Sequence, residues 1–334
     1  MPALAVAGAL RAEGADVTFV GGERAEAELV PAAGYGLHGI RVAGLDRRNP
    51  LRALRALWLA VRAVVVSIRL LRRLRASAVM GGGGYVAGPV GLAAVLLRLP
   101  LVLTEADSHL GIANRLLAPF ARRVCLAFPM EGRTGVRYRV TGRPVPTPAT
   151  DRAAARARFG LGADDTVVLV FGGSLGARSI NQAAVEAFAD APFRVLHAAG
   201  VRDFASLEAP GAHYDLRPYI DDFGSALLVA DLVVARSGGS IFEVAAHGRP
   251  AILIPYPAAT ADHQTANARW MVDGGAAVTL RDADLTPERL RREVDTLLAD
   301  PDRLTAMSAA SAALARPNAA HDIAAELLAA VTHR

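Results

Sequence analysis

Short, almost uninterrupted apolar runs constrain the fold of this chain more than any other feature. In the first half they are DVTFV (16–20), SAVMG (77–81), LVLTE (101–105), VCLAF (124–128) and YRVT (138–141). The second half has TVVLVF (166–171), FRVLHA (193–198), HYDLRPY (213–219), DLVVAR (231–236), AILIPY (251–256) and AAVTL (276–280). Stretches with helical spacing separate them. A half-buried strand alternates apolar and polar residues, whereas near-continuous Val/Leu/Ile runs mark strands covered on both faces. Parallel strands joined by crossover helices meet that requirement, so the expected fold class is α/β, with two doubly wound domains. Pro144, Pro146 and Pro148 mark the joint between them. The expected division is an N-terminal domain over 1–146, a linker over 147–160 and a C-terminal domain over 161–334, with packing of the final helix back on the N-terminal domain left open.

Charge divides the chain in the same way. All 37 basic side chains are arginine, against 32 Asp and Glu. Residues 1–150 hold 20 Arg and 9 acids, a balance of +11, whereas residues 151–334 hold 17 Arg and 23 acids, a balance of −6. A basic half fits a phosphorylated ligand or an anionic membrane surface. Nucleic acid is not expected, because neither an aromatic-studded basic strand nor zinc-ligand spacing accompanies the arginines. Cys125 stands alone inside VCLAF and reads as a small core residue. With no intramolecular disulfide possible, that fits a reducing cytoplasm. The first helix lacks the basic lead of a secretory signal, so none is expected.

The segment RRNPLRALRALWLAVRAVVVSIRLLRRLRASAV (47–79) does not read as a membrane span. Between Arg55, Arg62 and Arg69 its uncharged stretches are six residues long, far short of the ~20 that a spanning helix needs. Arginines at 48, 52, 55, 62, 69, 72, 73 and 75, with Leu51, Leu54, Leu57, Trp58 and Val61 between them, read as one or two amphipathic helices. Two placements fit. One is an ordinary surface helix packed on a sheet; the other is a helix on an anionic bilayer, apolar face in and arginines at the headgroups.

Three loops at strand ends in the second half carry the chemistry. FGGSLGARSINQ (171–182) leaves a strand and opens a helix, so its backbone N–H groups and helix dipole suit a phosphate. It is not a Walker loop, which needs a lysine, and glycines at 172, 173 and 176 do not make GxGxxG. The next strand ends in HAAG with no acid for an NAD ribose, which disfavours a nicotinamide oxidoreductase. ARSGGSIFEVAAHGRP (235–250) repeats the turn. Its Ser240 and Glu243 have the spacing of a capping box, and Glu243 equally suits the two hydroxyls of a ribose. IPYPAATADHQTANA (254–268) gathers Asp262, His263, Gln264 and Asn267, which suit sugar hydroxyls better than a metal. Asp282 and Asp284 imitate a metal-binding DxD. They precede Thr286-Pro287-Glu288, a helix start, so capping is expected of them, and no obligatory metal or cofactor is expected.

These motifs resemble the MurG family of glycosyltransferases over nearly the whole chain. GGSLGAR, YIDD, RSGGSIFE and DHQTANA match its donor-site motifs in order and spacing. GGYVAGP (83–89), TEAD…GIAN (104–114) and TGRPV (141–145) match its acceptor-domain landmarks. The resemblance implies the GT-B arrangement, two Rossmann-like domains facing a cleft. It implies an inverting transfer of N-acetylglucosamine from UDP-N-acetylglucosamine to the undecaprenyl-linked muramoyl-pentapeptide of peptidoglycan synthesis. The protein would be peripheral, at the cytoplasmic face of the plasma membrane. By the same resemblance Gly172, Gly173 and Ser174 meet the diphosphate, the Ile220 backbone meets uracil, and Glu243 holds the ribose. His263 and Gln264 would hold the sugar, with Gly239, Ser240 and Asn267 also in the substrate-binding set.

The pattern also departs from the family. There, a strand and a turn of the form GGTGGHxxP, whose histidine is a candidate general base, come directly before the helix matched here by PALAVAGAL. Neither stands in this sequence. The expectation is a coding start upstream of Met1 and little transfer by the 334-residue chain; the rival reading is lost activity, leaving a nucleotide-sugar-binding protein. The family's HEQN is TEAD here, putting Asp107 in place of an asparagine. The arginine expected after GNPV is Pro146, with Arg143 as the nearby substitute. Asp107 and His109 are the nearest replacements for the base. A related glycolipid-forming UDP-sugar transferase is the alternative within the superfamily.

Overall fold

The computed structural model of the chain describes residues 2–22, 26–40, 50–259 and 262–332, and for 50–57 the backbone alone. In chain order its elements begin α1 (Pro2–Ala12), β1 (Thr18–Gly21), α2 (Glu26–Ala32), β2 (Gly36–Gly39), α3 (Pro50–Arg73) and β3 (Val79–Gly81). Then come α4 (Gly84–Leu96), β4 (Leu101–Glu105), α5 (Ile112–Leu117), β5 (Arg123–Leu126), β6 (Tyr138–Val140) and α6 (Arg152–Arg158). They continue β7 (Val167–Phe171), α7 (Arg178–Ala187), β8 (Arg194–Ala198), β9 (Tyr214–Arg217), α8 (Phe223–Val229), β10 (Leu232–Ala235) and α9 (Ile241–Ala246). The last are β11 (Ala251–Leu253), α10 (His263–Asp273), β12 (Ala277–Thr279), α11 (Pro287–Leu298), α12 (Pro301–Leu314) and α13 (Ala319–Thr332). Two compact units result: Met1–Val145 with Arg316–Arg334, and Pro146–Ala315.

In the first unit β3, β4, β5 and β6 form a parallel sheet in that order, and β1 and β2 pair in parallel in a second, two-stranded sheet. Side chains alternate across a strand. Leu101 and Leu103 of β4 therefore face the same way as Val124 and Leu126 of β5, against Ala63, Leu71, Val90, Ala93 and Leu117. Val102 and Cys125 face the other way, against α1 and α13 through Val6, Ala9, Ile323 and Leu327. Both faces are dry, which is why LVLTE and RVCL carry so little polar alternation. Cys125 is 1% exposed, and burial, then the nearby Glu326 carboxylate, pushes its thiol up to about 12. It is a core residue, not a nucleophile.

The closing helix α13 is tied to this sheet by charge as well as by packing. Arg123 Nε donates to Glu326 Oε2 at 2.6 Å, and Arg139 Nη1 donates to Glu326 Oε1 at 2.7 Å. Burial pushes the Glu326 carboxyl upward, but the hydrogen bonds from Arg139 and Arg123 outweigh it and hold the group below its ordinary value of 4.5. A depressed carboxylate adds stability above that value and loses it as pH falls through the folded-state pKa.

The second unit has one parallel sheet in the order β12-β11-β10-β7-β8-β9. This is the doubly wound order, with the chain reversing its direction of growth between β7 and β10. Val168, Val170, Val195, Val234 and Ile252 share one core with Ile180 of α7 and Leu290 of α11. Leu169, Leu196, Val233 and Leu253, one residue out of phase, are equally buried on the other face. Helix starts follow local signals: Asp151, Asp222, Thr286 and Asp300 each accept from the N–H three residues on. Thr286 is thus the cap of α11. The capping expected of Asp282 and Asp284 is not what they do, because the threonine hydroxyl already fills that position.

Glu326→Gln should cost about 1–3 kcal/mol, between the values for exposed and buried ion pairs, since both arginines remain partly solvated. Urea denaturation at pH 7 measures it. The variant should also lose less stability than the parent between pH 6 and the acid side of pH 4.5.

Candidate functional site

The doubly wound order places a crevice for ligands outside the carboxyl ends of β7 and β10, where their loops part in opposite directions. Two glycine turns flank that point. Phe171 ends β7 and Gly172–Gly176 turns the chain into α7, whose N-cap Ala177 supplies no side-chain hydrogen bond. The first N–H groups of α7 therefore have no capping side chain, and Gly173 and Ser174 are exposed beside them. Gly176 has φ 80° and Gly200 has φ 84°; a methyl group on Gly176 would strike the Ala199 carbonyl, and one on Gly200 the Gly176 backbone. Only glycine allows these two turns to touch.

Beyond β10, Arg236–Ser240 leads into α9. Ser240 makes no side-chain cap, so the capping box read from Ser240 and Glu243 does not form, and Glu243 stands half-buried in the first turn. The next loop is laced to this one. Ser237 Oγ donates to the Gln264 carbonyl at 2.7 Å, and Asn267 Nδ2 donates to the Ser237 carbonyl at 3.0 Å. Tyr256 N–H donates to Gln264 Oε1 at 3.0 Å, which directs the amide's NH2 as the remaining donor group. The structure therefore brings Gly239, Ser240, Gln264 and Asn267 together, with His263 beside Gln264 at the start of α10. Ile220 is buried and follows the exposed Tyr219 on the loop after β9. His247 links α9 to the segment before α6: Ala149 N–H donates to its Nε2, so Nδ1 carries the proton and donates to the Glu243 carbonyl at 2.8 Å. Burial keeps this imidazole neutral.

Arg236 is absent from the residues expected at the site, although an arginine closing the run DLVVAR is a signal for it, and Asp282, expected to cap, is its partner. Arg236 is 7% exposed. Its guanidinium donates to the Ile254 and Pro255 carbonyls and to Ser179 Oγ, and it pairs with Asp282 at 2.6 Å. Ser179 Oγ in turn donates to Asp282 Oδ1 at 2.7 Å. One half-buried ion pair thus joins α7 and the loops after β10, β11 and β12.

Asp107, His109 and Arg143 belong to the first unit. Glu105, at the end of β4, shapes the loop that carries the first two. Its Oε2 accepts from Gly111 N–H at 2.8 Å and from Asn114 Nδ2 at 2.9 Å, and its Oε1 accepts from Asp107 N–H at 3.3 Å. Arg143 lines a pocket with Glu105, Thr104, Cys125 and Pro2. Glu105 was also missed; a carboxylate ending a fully buried run was its signal.

Comparison with known proteins gives these loops a family. The glycosyltransferase family 28 N-terminal domain model matches residues 1–126 and the family 28 C-terminal domain model residues 167–323. The UDP-N-acetylglucosamine–N-acetylmuramyl-(pentapeptide) pyrophosphoryl-undecaprenol N-acetylglucosamine transferase of Rubrobacter xylanophilus is 42% identical over 331 residues, covering 97% of this chain and 98% of its own. Its namesake from Alkalilimnicola ehrlichii is 42% identical over 338 residues, covering 97% and 93%. The crystal structure of Acinetobacter baumannii MurG superposes with a TM-score of 0.79 at 31% identity, covering 98% of this chain and 95% of that one. The chain belongs to the MurG family. The two-domain α/β fold with parallel sheets is the GT-B fold of that family, and the enzyme class is hexosyltransferase. In this MurG-family chain the motif GGSLGAR is the β7–α7 turn, RSGGSIFE the β10–α9 turn, and DHQTANA the start of α10.

Asp282→Ala should destabilise the protein by about 1–3 kcal/mol, because it leaves the buried Arg236 guanidinium and Ser179 hydroxyl short of a partner. Asp284→Ala removes only the exposed pair with Arg281 and should leave the urea midpoint unchanged. Equal midpoints for the two variants would contradict the clamp.

Proposed function

We propose which groups of this chain perform the transfer. The chain is an N-acetylglucosaminyltransferase that moves the sugar from UDP-N-acetylglucosamine to the lipid-linked muramoyl-pentapeptide. The observation that carries the donor site is the convergence of three hydrogen-bonded loops at the switch point of the second unit. The amides of Gly172 to Gly176 and the first turn of α7, with Ser174, meet the diphosphate. The Ile220 backbone meets uracil, Glu243 accepts both ribose hydroxyls, and Gln264 and His263 hold the sugar hydroxyls; Asn267, expected among them, is 1% exposed and instead ties its loop to the Ser237 carbonyl. Gly239 and Ser240 give the backbone room to approach the nucleotide. The acceptor hydroxyl forms the new bond at the anomeric carbon as the bond to UDP breaks on the opposite face, inverting the centre. A base takes the hydroxyl proton; Asp107 and His109 are the candidates, on the loop that Glu105 shapes. The near-complete coverage of relatives named for the muramoyl-pentapeptide acceptor favours that substrate over another glycolipid.

The first unit supplies a membrane surface. No helix among the described residues is long and apolar enough to cross a bilayer. Instead α3, α4 and α5, packed side by side, each expose an apolar stripe: Trp58, Val61 and Val65; Tyr85, Leu92 and Leu96; Ile112 and Leu116. Exposed Arg62, Arg69, Arg72, Arg73, Arg98 and Arg115 border them. Residues 47–49 lie outside the described residues. This surface fits a peripheral protein on anionic lipid at the cytoplasmic face, where the undecaprenyl acceptor resides.

Two measurements test the reading. Glu243→Ala should weaken UDP binding by about 1–3 kcal/mol through loss of charge-assisted hydrogen bonds, read by calorimetry. No UDP binding by the unmodified chain would overturn the donor assignment. Sedimentation with anionic vesicles should fall with added salt and with Arg-to-Gln changes at 69, 72 and 73; equal binding to neutral vesicles would remove the lipid surface.

A further inference from the structure

Beneath the diphosphate turn lies a line of buried polar groups that the transfer does not use. His197 of β8 is fully buried, Asn181 of α7 likewise, and Tyr214 of β9 is 4% exposed. His197 shares the sheet face of Val195, so its ring points into a core of valine, isoleucine and phenylalanine side chains. Polar groups in such a place cost free energy unless each is paired. All three are paired, in a single line.

The chemistry fixes the direction of that line. The Ala199 carbonyl can only accept, so the Asn181 group bonded to it at 2.8 Å is Nδ2. Oδ1 of Asn181 then faces His197 Nε2 at 3.1 Å, and Nε2 must carry the proton and donate. His197 Nδ1 is left as an acceptor, and it takes the Tyr214 hydroxyl proton at 2.8 Å. Burial drives the imidazole down to about 3, so the ring stays neutral and the direction does not reverse across the physiological range. The line ends at the Ala199 carbonyl, and the backbone there touches Gly176 of the diphosphate turn.

We propose that Tyr214, His197 and Asn181 are positioning residues for the diphosphate: their one-way hydrogen-bond relay holds the Ala199–Gly200 backbone, and through it the Gly173–Gly176 turn, at the height the diphosphate needs. The proposal rests on the assignment of that turn to the diphosphate. Uridine, which is assigned to Ile220 and Glu243, does not touch the turn and is indifferent to the relay. Removing the Tyr214 hydroxyl leaves the buried Nδ1 of His197 without its donor, while Asn181 Oδ1 keeps the ring proton on Nε2. The unpaired Nδ1 costs free energy at that end of the line, and the carbonyl end loosens with it.

The test uses the full chain and Tyr214→Phe, which keeps the buried ring. UDP affinity should fall about 2–12-fold, the equivalent of one hydrogen bond, and uridine affinity by chemical-shift titration should stay within about twofold of the parent. Ring 15N shifts should show the Nε2-protonated tautomer of His197 in the parent and in the variant, with the Nδ1 resonance moved by the loss of its hydrogen bond. Equal losses for uridine and UDP, unchanged UDP affinity, or an Nδ1-protonated ring in the parent would each overturn the relay. A parent chain that binds uridine but gains nothing from the diphosphate would instead overturn the assignment of the turn, whatever the tautomer.

Discussion

The structure of the second unit depends on the parallelism of its sheet. Strands that run the same way put all their carboxyl ends on one edge, and crossover helices leave from that edge. Loops far apart in sequence, after Phe171, Ala198, Ala235 and Leu253, therefore meet without a dedicated scaffold. The switch between β7 and β10 parts two of these loops and leaves space for a ligand. The same constraint sets the local chemistry. Gly176 and Gly200 are glycines because two strand-end turns cross in backbone contact, and a side chain on either would push the turns apart.

Fixing loops at such an edge requires partners for backbone groups that the sheet no longer pairs. This chain meets the need with its arginines and acids. Arg236 donates to the carbonyls of Ile254 and Pro255, and Asp203 anchors both Arg178 and Arg202 beside the Gly172–Gly176 turn; at the opposite edge of the sheet Asp231 accepts from Val167 N–H at 2.8 Å. A planar guanidinium with five donors can serve two carbonyls, a hydroxyl and a carboxylate at once, which a lysine ammonium cannot. The acidic excess of the second unit is thus partly structural: carboxylates such as Asp203 and Asp282 hold loops.

Much of this was legible in the sequence because period and composition report burial directly. The run LVLTE is β4 residue for residue, and TVVLVF, FRVLHA and DLVVAR differ from their strands by one residue at the ends. The missed strand, β2, reads GLHG and carries no β-branched residue; it exists because β1 offers it a parallel partner, which is a tertiary reason. Asp282 was misread for a similar cause. Its neighbours in sequence suggest a cap, and its real partners, Arg236 and Ser179, are 46 and 103 residues away. The three strand-end loops were visible as motifs, whereas the partners of Glu105, Arg236 and the His197 line are set by folded geometry.

Helix α3 illustrates how a face can be read only after its neighbours are known. The sequence left two placements open for it. In the structure its inward stripe is Ala63, Ser67 and Leu71, and its outward face carries Trp58, Val61, Val65, Arg62 and Arg69. Val64 and Ile68 pack on the same core as that stripe, as in an ordinary surface helix. Trp58, Val61, Val65 and Val66 nevertheless remain outside, giving α3 a second apolar face. Trp58 and Arg62 lie together, the guanidinium 5.7 Å from the ring centroid. A weakly hydrated cation on an aromatic face suits the boundary between headgroup and acyl chain better than bulk water. α3 packs along α4, so the outward stripes of the two helices adjoin. The packed placement thus holds for one face of α3, and the second apolar face is what the proposed lipid surface rests on.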